Sequence, residues 1–431
     1  MASSGRLIGT GFGSTWQRRT ATAGGAVLVG LAALAFAALA DAIQKGFSSF
    51  IVAWPFAPLL LTPAVYGLIA FITRRYAPEA RGSGIPQVIA ATHNAASAAN
   101  ARLTSLKSAA FKFVLTVLAL GVGGSVGREG PTVQISAAIM EATHKLFRIP
   151  ISSAVVIAGG AAGVSAAFNT PLAGVAFAIE ELASAYEQRM TLLVMAAVMI
   201  SGLVSLGIAG DYLYFGAVHE SLPIGQALLI APVAGVLGGL FGGLFSRAML
   251  AFTFNAARPL AIIRAHPVLW ATSAGLLVAV IGVFGAGLTW GTGYEVSRRI
   301  IEGGTEPLWF GPAKFATTLL TALSGIPGGI FAPSLAAGTG LGQFLSMLFP
   351  AEPVGAVVLL GMIAYFVGVV RAPLTGVLIV SEMTDSHTLI LPLFAAAIIA
   401  EGVSALVSPE RLYHGLSRGF AIRPEKEDVR P

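Results

Sequence analysis

Ser324-Gly325-Ile326-Pro327-Gly328-Gly329-Ile330-Phe331-Ala332-Pro333 lies inside Phe315–Ala351, a run with no charged residue. A membrane helix needs about 20 apolar residues to cross. This run is much longer, and a straight helix cannot absorb two prolines and three glycines within ten residues. Two half-helices meeting at an unwound loop can. Ile149–Ile179 has the same look, with Gly159, Gly160, Gly163 and Pro171 inside it. Non-helical backbone at membrane depth is tolerated only where protein buries it or water reaches it. The breaks therefore mark a site. The competing reading is close helix–helix packing on small residues, which accounts for glycine but not for clustered glycine and proline.

The rest of the chain agrees with a membrane setting. Uncharged stretches recur at Thr20–Ala40, Gly46–Thr73, Met190–Gly210, Ser221–Ser246, Pro267–Tyr294 and Pro353–Val370, with shorter ones at Phe113–Gly127, Ala372–Ser381 and Ser386–Ala400. Of 431 residues, 55% are hydrophobic and 11% charged, against about 25% charged in an average soluble domain. Mean hydropathy is +0.81. These values exclude a soluble enzyme, a coiled coil, a disordered chain and a nucleic-acid module. The net charge of +6 is read as Lys and Arg collecting on cytoplasmic loops and ends. With no cysteine, disulfides and thiolate metal sites are out. The six histidines (His93, His144, His219, His266, His387 and His414) have no zinc-ligand spacing, so no metal and no cofactor is expected.

Thr20–Ala40 is longer than the apolar core of a secretory signal and reads as a first, uncleaved span. Arg6, Arg18 and Arg19 precede it with no acid before Asp41, which places residues 1–19 in the cytoplasm. A transport domain then runs over 20–415, and 416–431 forms a short cytoplasmic tail. With both ends cytoplasmic, the number of spans is even.

The chain also repeats itself. At an offset of 202 residues Gly123 falls on Gly325, Gly127 on Gly329, Pro131 on Pro333, Gly159 on Gly361, Pro171 on Pro373 and Glu180 on Glu382. Pro171-Leu172-Ala173-Gly174-Val175 and Pro373-Leu374-Thr375-Gly376-Val377 differ at one position, and Gly82-Ser83-Gly84 answers to Gly291-Thr292-Gly293 at a looser offset. The halves are about 25–210 and 221–415. Two homologous membrane halves imply a transporter or channel with its site at the repeat interface. Broken helices there aim N-terminal amides at an anion. The expected fold is an all-α polytopic membrane protein with a two-fold, inverted repeat, whose half-helices meet at a midplane ion site.

Three segments carry candidate chemistry: Gly82-Ser83-Gly84-Ile85-Pro86, Gly127-Arg128-Glu129-Gly130-Pro131 and Gly329-Ile330-Phe331-Ala332-Pro333. Ser83 offers a hydroxyl donor without charge, which suits an anion that must leave again; alternatively it caps a helix. Glu129 is an intramembrane carboxylate, a functional hypothesis by default; the plainer reading is an ion pair with Arg128. Tyr413 alone reads as an interfacial tyrosine.

Together with Phe168-Asn169-Thr170-Pro171-Leu172-Ala173-Gly174, Ile179-Glu180-Glu181, Ser381-Glu382-Met383-Thr384-Asp385 and Arg411-Leu412-Tyr413, these segments resemble the CLC family of chloride channels and proton-coupled chloride exchangers over roughly 25–415. The resemblance implies a prokaryotic-type member without the soluble nucleotide-binding tail. It implies that Ser83, Tyr413 and the amides near Ile330 and Phe331 bind chloride. Glu129 would be the gating glutamate and Glu181 the inner proton-transfer glutamate, a position that is apolar in the family's channels. Glu180 and Glu181 point about 100° apart on a helix, so they cannot share that role. Glu382 and Asp385 are expected to be structural. The implied function is chloride/proton antiport by a homodimer in the inner (plasma) membrane, its partners being chloride, protons and lipid, with no nucleic acid. A passive chloride channel and a fluoride/proton antiporter are the alternatives. An intramembrane enzyme would need a nucleophile–base pair or a His/Glu metal motif, and the sequence has neither.

Overall fold

The computed structural model describes residues 10–93, 95, 97, 100–183 and 188–420. The first half contains α1 (Thr10–Ala53), α2 (Pro58–Tyr76), α3 (Ile85–His93), α4 (Asn100–Leu103), α5 (Leu106–Leu120), α6 (Glu129–Leu146), α7 (Ser153–Phe168), α8 (Pro171–Phe177) and α9 (Gln188–Ala209). The second contains α10 (Ile224–Phe254), α11 (Arg258–Ala265), α12 (Pro267–Phe284), α13 (Tyr294–Ile301), α14 (Phe310–Leu323), α15 (Phe331–Leu348), α16 (Val354–Val370), α17 (Pro373–Thr384), α18 (Ile390–Val407) and α19 (Leu412–Ser417). Six of the described helices are long and apolar enough to cross a membrane. The shorter α7 and α16 are apolar all round and almost wholly buried, as expected of helices surrounded by other helices rather than by lipid.

The uncharged run Phe315–Ala351 divides as its glycines and prolines require: α14 ends at Leu323 and α15 starts at Phe331. Ile149–Ile179 divides too, but at Asn169 and Thr170, where Asn169 takes a left-handed conformation (φ 58°) ahead of Pro171. Gly159, Gly160 and Gly163 are not part of that break. They lie within α7, where a Cβ on Gly163 would come within 2.6 Å of Ser136 Oγ on α6. For those three glycines the packing reading holds. The first helix begins at Thr10, ahead of the uncharged stretch. Arg6 at one end, and Arg423, Lys426 and Arg430 at the other, lie outside the described residues.

The repeat is structural. α6 packs on α7 as α15 does on α16, α1 on α9 as α10 on α18, and α5 on α6 as α14 on α15. Gly127 and Gly329 exchange N–H···O=C bonds, both 2.8 Å, in an antiparallel bridge. Equivalent segments thus run in opposite directions where the halves meet, as an inverted repeat requires. Further out, Glu180 accepts from the amides of Leu374 (3.2 Å) and Thr375 (2.8 Å) at the start of α17. Its equivalent Glu382 accepts from Leu172 (3.1 Å) and Ala173 (2.8 Å) at the start of α8. Each half therefore caps a helix of the other with a carboxylate at its positive end.

Candidate functional site

The site begins with a loop that glycine favours, and at Gly84 a Cβ would meet the Gly130 carbonyl at 2.8 Å. Gly82 (φ 63°) and Gly84 (φ 108°) flank Ser83 in the left-handed region. Lys112 on α5 is fully buried and donates to the carbonyls of Gly82 (2.7 Å) and Arg81 (3.3 Å), pinning the loop from behind. The second half repeats the device. Lys314 on α14 is also fully buried and donates to Thr289 (2.9 Å) and Gly291 (2.7 Å). The two lysines are equivalent at the 202-residue offset. Reading the charge-free stretches passed over both; the offset was the signal that could have found them.

Ser83 and Tyr413 line one cavity of about 650 Å³ together with Ile330, and Arg74, Arg81 and Arg264 line it as well. Both hydroxyls are buried and neither has a hydrogen-bond partner of good geometry within the protein. Ser83 therefore does not cap α3, and Tyr413, with 0% of its surface exposed, is no interfacial tyrosine. Ile330 and Phe331 form the start of α15, where the first N–H groups have no partner inside the helix. The Phe331 ring lies 5.9 Å from that of Tyr413 and 5.0 Å from that of Phe366, which holds this helix start against α16 and α19. Two neutral O–H donors and a helix N-terminus facing one cavity suit an anion without fixing it by a full charge.

Glu129 opens α6 and is 1% exposed. Its Oε1 accepts a 2.6 Å hydrogen bond from Tyr294, while Oε2 has no partner of good geometry. The amides of Glu129 itself and of Ala332, in the first turn of α15, are within interaction range of the carboxylate. The carboxylate thus sits where the two half-helix N-termini converge. Arg128 is not its simple ion-pair partner. That guanidinium turns to Asp41 (2.8 Å), the Ala37 carbonyl (2.9 Å) and the Tyr214 hydroxyl (2.7 Å).

Glu180 and Glu181 lie in a π-helical turn, Ala178–Leu182, that extends α8. Such turns recur at functional positions. Glu180 is used up by its cap on α17. Glu181 is 1% exposed, and neither carboxylate oxygen has a hydrogen-bond partner. His414 lies beside it, with Nδ1 3.4 Å from Oε1, and that imidazole is partly exposed. Tyr413 lies within electrostatic reach of both Glu129 and Glu181. Of the residues singled out from the sequence, Ser83, Ile330 and Tyr413 line the cavity, whereas Glu129, Glu181 and Phe331 lie outside its lining and Glu180 and Glu382 serve as helix caps. Tyr294, Tyr214, Lys112 and Lys314 are additions made by the structure.

A family model described as the voltage gated chloride channel matches residues 65–405. Among solved structures, a slow cyanobacterial Cl⁻/H⁺ antiporter superposes with a TM-score of 0.80 at 23% identity, covering 95% of this chain and 99% of that one. A CLC-type fluoride/proton antiporter gives 0.77 at 22% identity, with 93% and 98% covered. A eukaryotic CLC transporter gives 0.76 at 21% identity, with 94% and 74% covered. At these identities the likeness is one of fold, while the family match spans most of the sequence. The chain belongs to the voltage-gated chloride channel family.

Proposed function

We propose that this transporter exchanges chloride for protons across the inner (plasma) membrane, as a homodimer with one pathway in each subunit. The observation that carries the reading is a pair of carboxylates, Glu129 and Glu181, each 1% exposed and each with at least one oxygen lacking a hydrogen-bond partner of good geometry, both within electrostatic reach of the cavity-lining Tyr413. A buried carboxylate oxygen left without a partner is costly, and an ionisable group within a membrane is a functional hypothesis by default. Deprotonated Glu129 occupies the junction of the α6 and α15 N-termini and so competes with an anion for the same donors. Protonation removes its charge, the side chain leaves, and chloride takes the position. Glu181 exchanges protons with the inner side, and the cavity bearing Arg74, Arg81 and Arg264 is the inner anion route past Ser83 and Tyr413. The acid at Glu181 favours exchange over passive conduction. Ion gradients drive the cycle, so no cofactor takes part.

In proteoliposomes, an imposed chloride gradient is expected to drive protons uphill. Chloride leak with no proton movement would support the channel reading. Uphill protons driven by fluoride but not by chloride would support the fluoride reading.

A further inference from the structure

We infer that Tyr294 is a latch on the gating carboxylate: its phenol holds deprotonated Glu129 in the anion position and sets how readily chloride displaces it. The inference rests on the gating role of Glu129 proposed above. The Tyr294 hydroxyl donates to Glu129 Oε1 at 2.6 Å, a length typical of a donor to an ionised oxygen. The bond joins α13 of the second half to α6 of the first, across the junction where the anion would sit.

The phenol is held in place from behind. Its ring stacks on Tyr214 with centroids 4.8 Å apart and meets Phe215 at 5.4 Å. Tyr214 accepts from Arg128 (2.7 Å) and donates to the Ala167 carbonyl (3.1 Å). Arg128 is tied in turn to Asp41 on α1. Asp41, Arg128, Tyr214, Tyr294 and Glu129 thus form one chain of contacts ending on the carboxylate. A donor fixed in this way favours the docked, charged carboxylate over an undocked one. Once Glu129 leaves, the same hydroxyl is free, but chloride, a larger and more diffuse anion, accepts a weaker bond than a carboxylate oxygen, so the donor favours the carboxylate. The latch therefore weakens chloride binding by competition and slows each cycle.

Tyr294→Phe removes the donor and keeps the ring that stacks on Tyr214. Chloride binding to the purified full-length protein would be measured by calorimetry at alkaline pH, for the parent, Tyr294→Phe, Glu129→Ala and the double variant. A hydrogen bond to a charged group predicts that Tyr294→Phe binds chloride about 10-fold more tightly. The same substitution should raise turnover in proteoliposomes with an unchanged proton-to-chloride ratio. In the Glu129→Ala background it should change chloride affinity by nothing measurable. A merely structural tyrosine would shift affinity equally in both backgrounds, and that result, or an affinity unchanged by Tyr294→Phe, overturns the latch. If Glu129→Ala itself bound chloride no more tightly than the parent, the gating role beneath the inference would fall instead.

Discussion

Adjacent glutamates in one π turn have opposite surroundings. Glu180 is satisfied by two backbone amides of α17, whereas Glu181 is sealed from solvent with neither oxygen hydrogen-bonded. This separates their expected phenotypes. Glu181→Gln is expected to abolish proton transport while chloride flux persists. Glu180→Gln should retain coupling and lose about 1 kcal/mol of stability, the usual worth of a charged helix cap. Paired chloride and proton fluxes with a thermal melt of each variant check this; proton loss at Glu180→Gln alone would exchange the two roles. Glu129, Ser83, Ile330, Phe331 and Tyr413 were legible because each sits in a recognisable Gly/Pro-rich or family segment. Lys112, Lys314 and Tyr294 were not, because a lysine inside an apolar helix reads as a boundary of a span, and nothing local reveals which carbonyls it will meet.

Among the helices, glycine does two jobs that look alike in sequence. Around Gly325–Gly329 it lets the chain leave the helix and bring the start of α15 to the Ser83–Tyr413 cavity. In α7 it lets two helices touch, with Gly163 against Ser136 and Thr132. The sequence marks both by density and cannot separate them, since close approach is a property of the neighbouring helix. Gly163→Val should therefore lower stability by about 1–3 kcal/mol through overpacking, seen as an earlier thermal transition in detergent. Proton coupling in the protein that remains folded should match the parent. An unchanged melting temperature would contradict the packing assignment.

For the whole molecule, the 202-residue offset foretold the organisation: equivalent helices pack in equivalent pairs, the Gly127–Gly329 bridge joins the halves at their centre, and Glu180 and Glu382 cap helices across them. What the offset could not supply was the asymmetry. Tyr413 comes from α19, which has no helical counterpart among the described residues of the first half, so the Ser83–Tyr413 cavity has a hydroxyl donor that the repeat does not generate. This asymmetry gives the two regions different chemistry: a Ser83–Tyr413 cavity with arginines in one, and a carboxylate held by Tyr294 in the other. The exchange reading depends on that carboxylate changing places with chloride. The most direct measurement is simultaneous chloride and proton flux through Glu129→Gln in proteoliposomes. The account predicts continuing chloride flux with no coupled protons. Protons still driven uphill by chloride at the parent's ratio would contradict it.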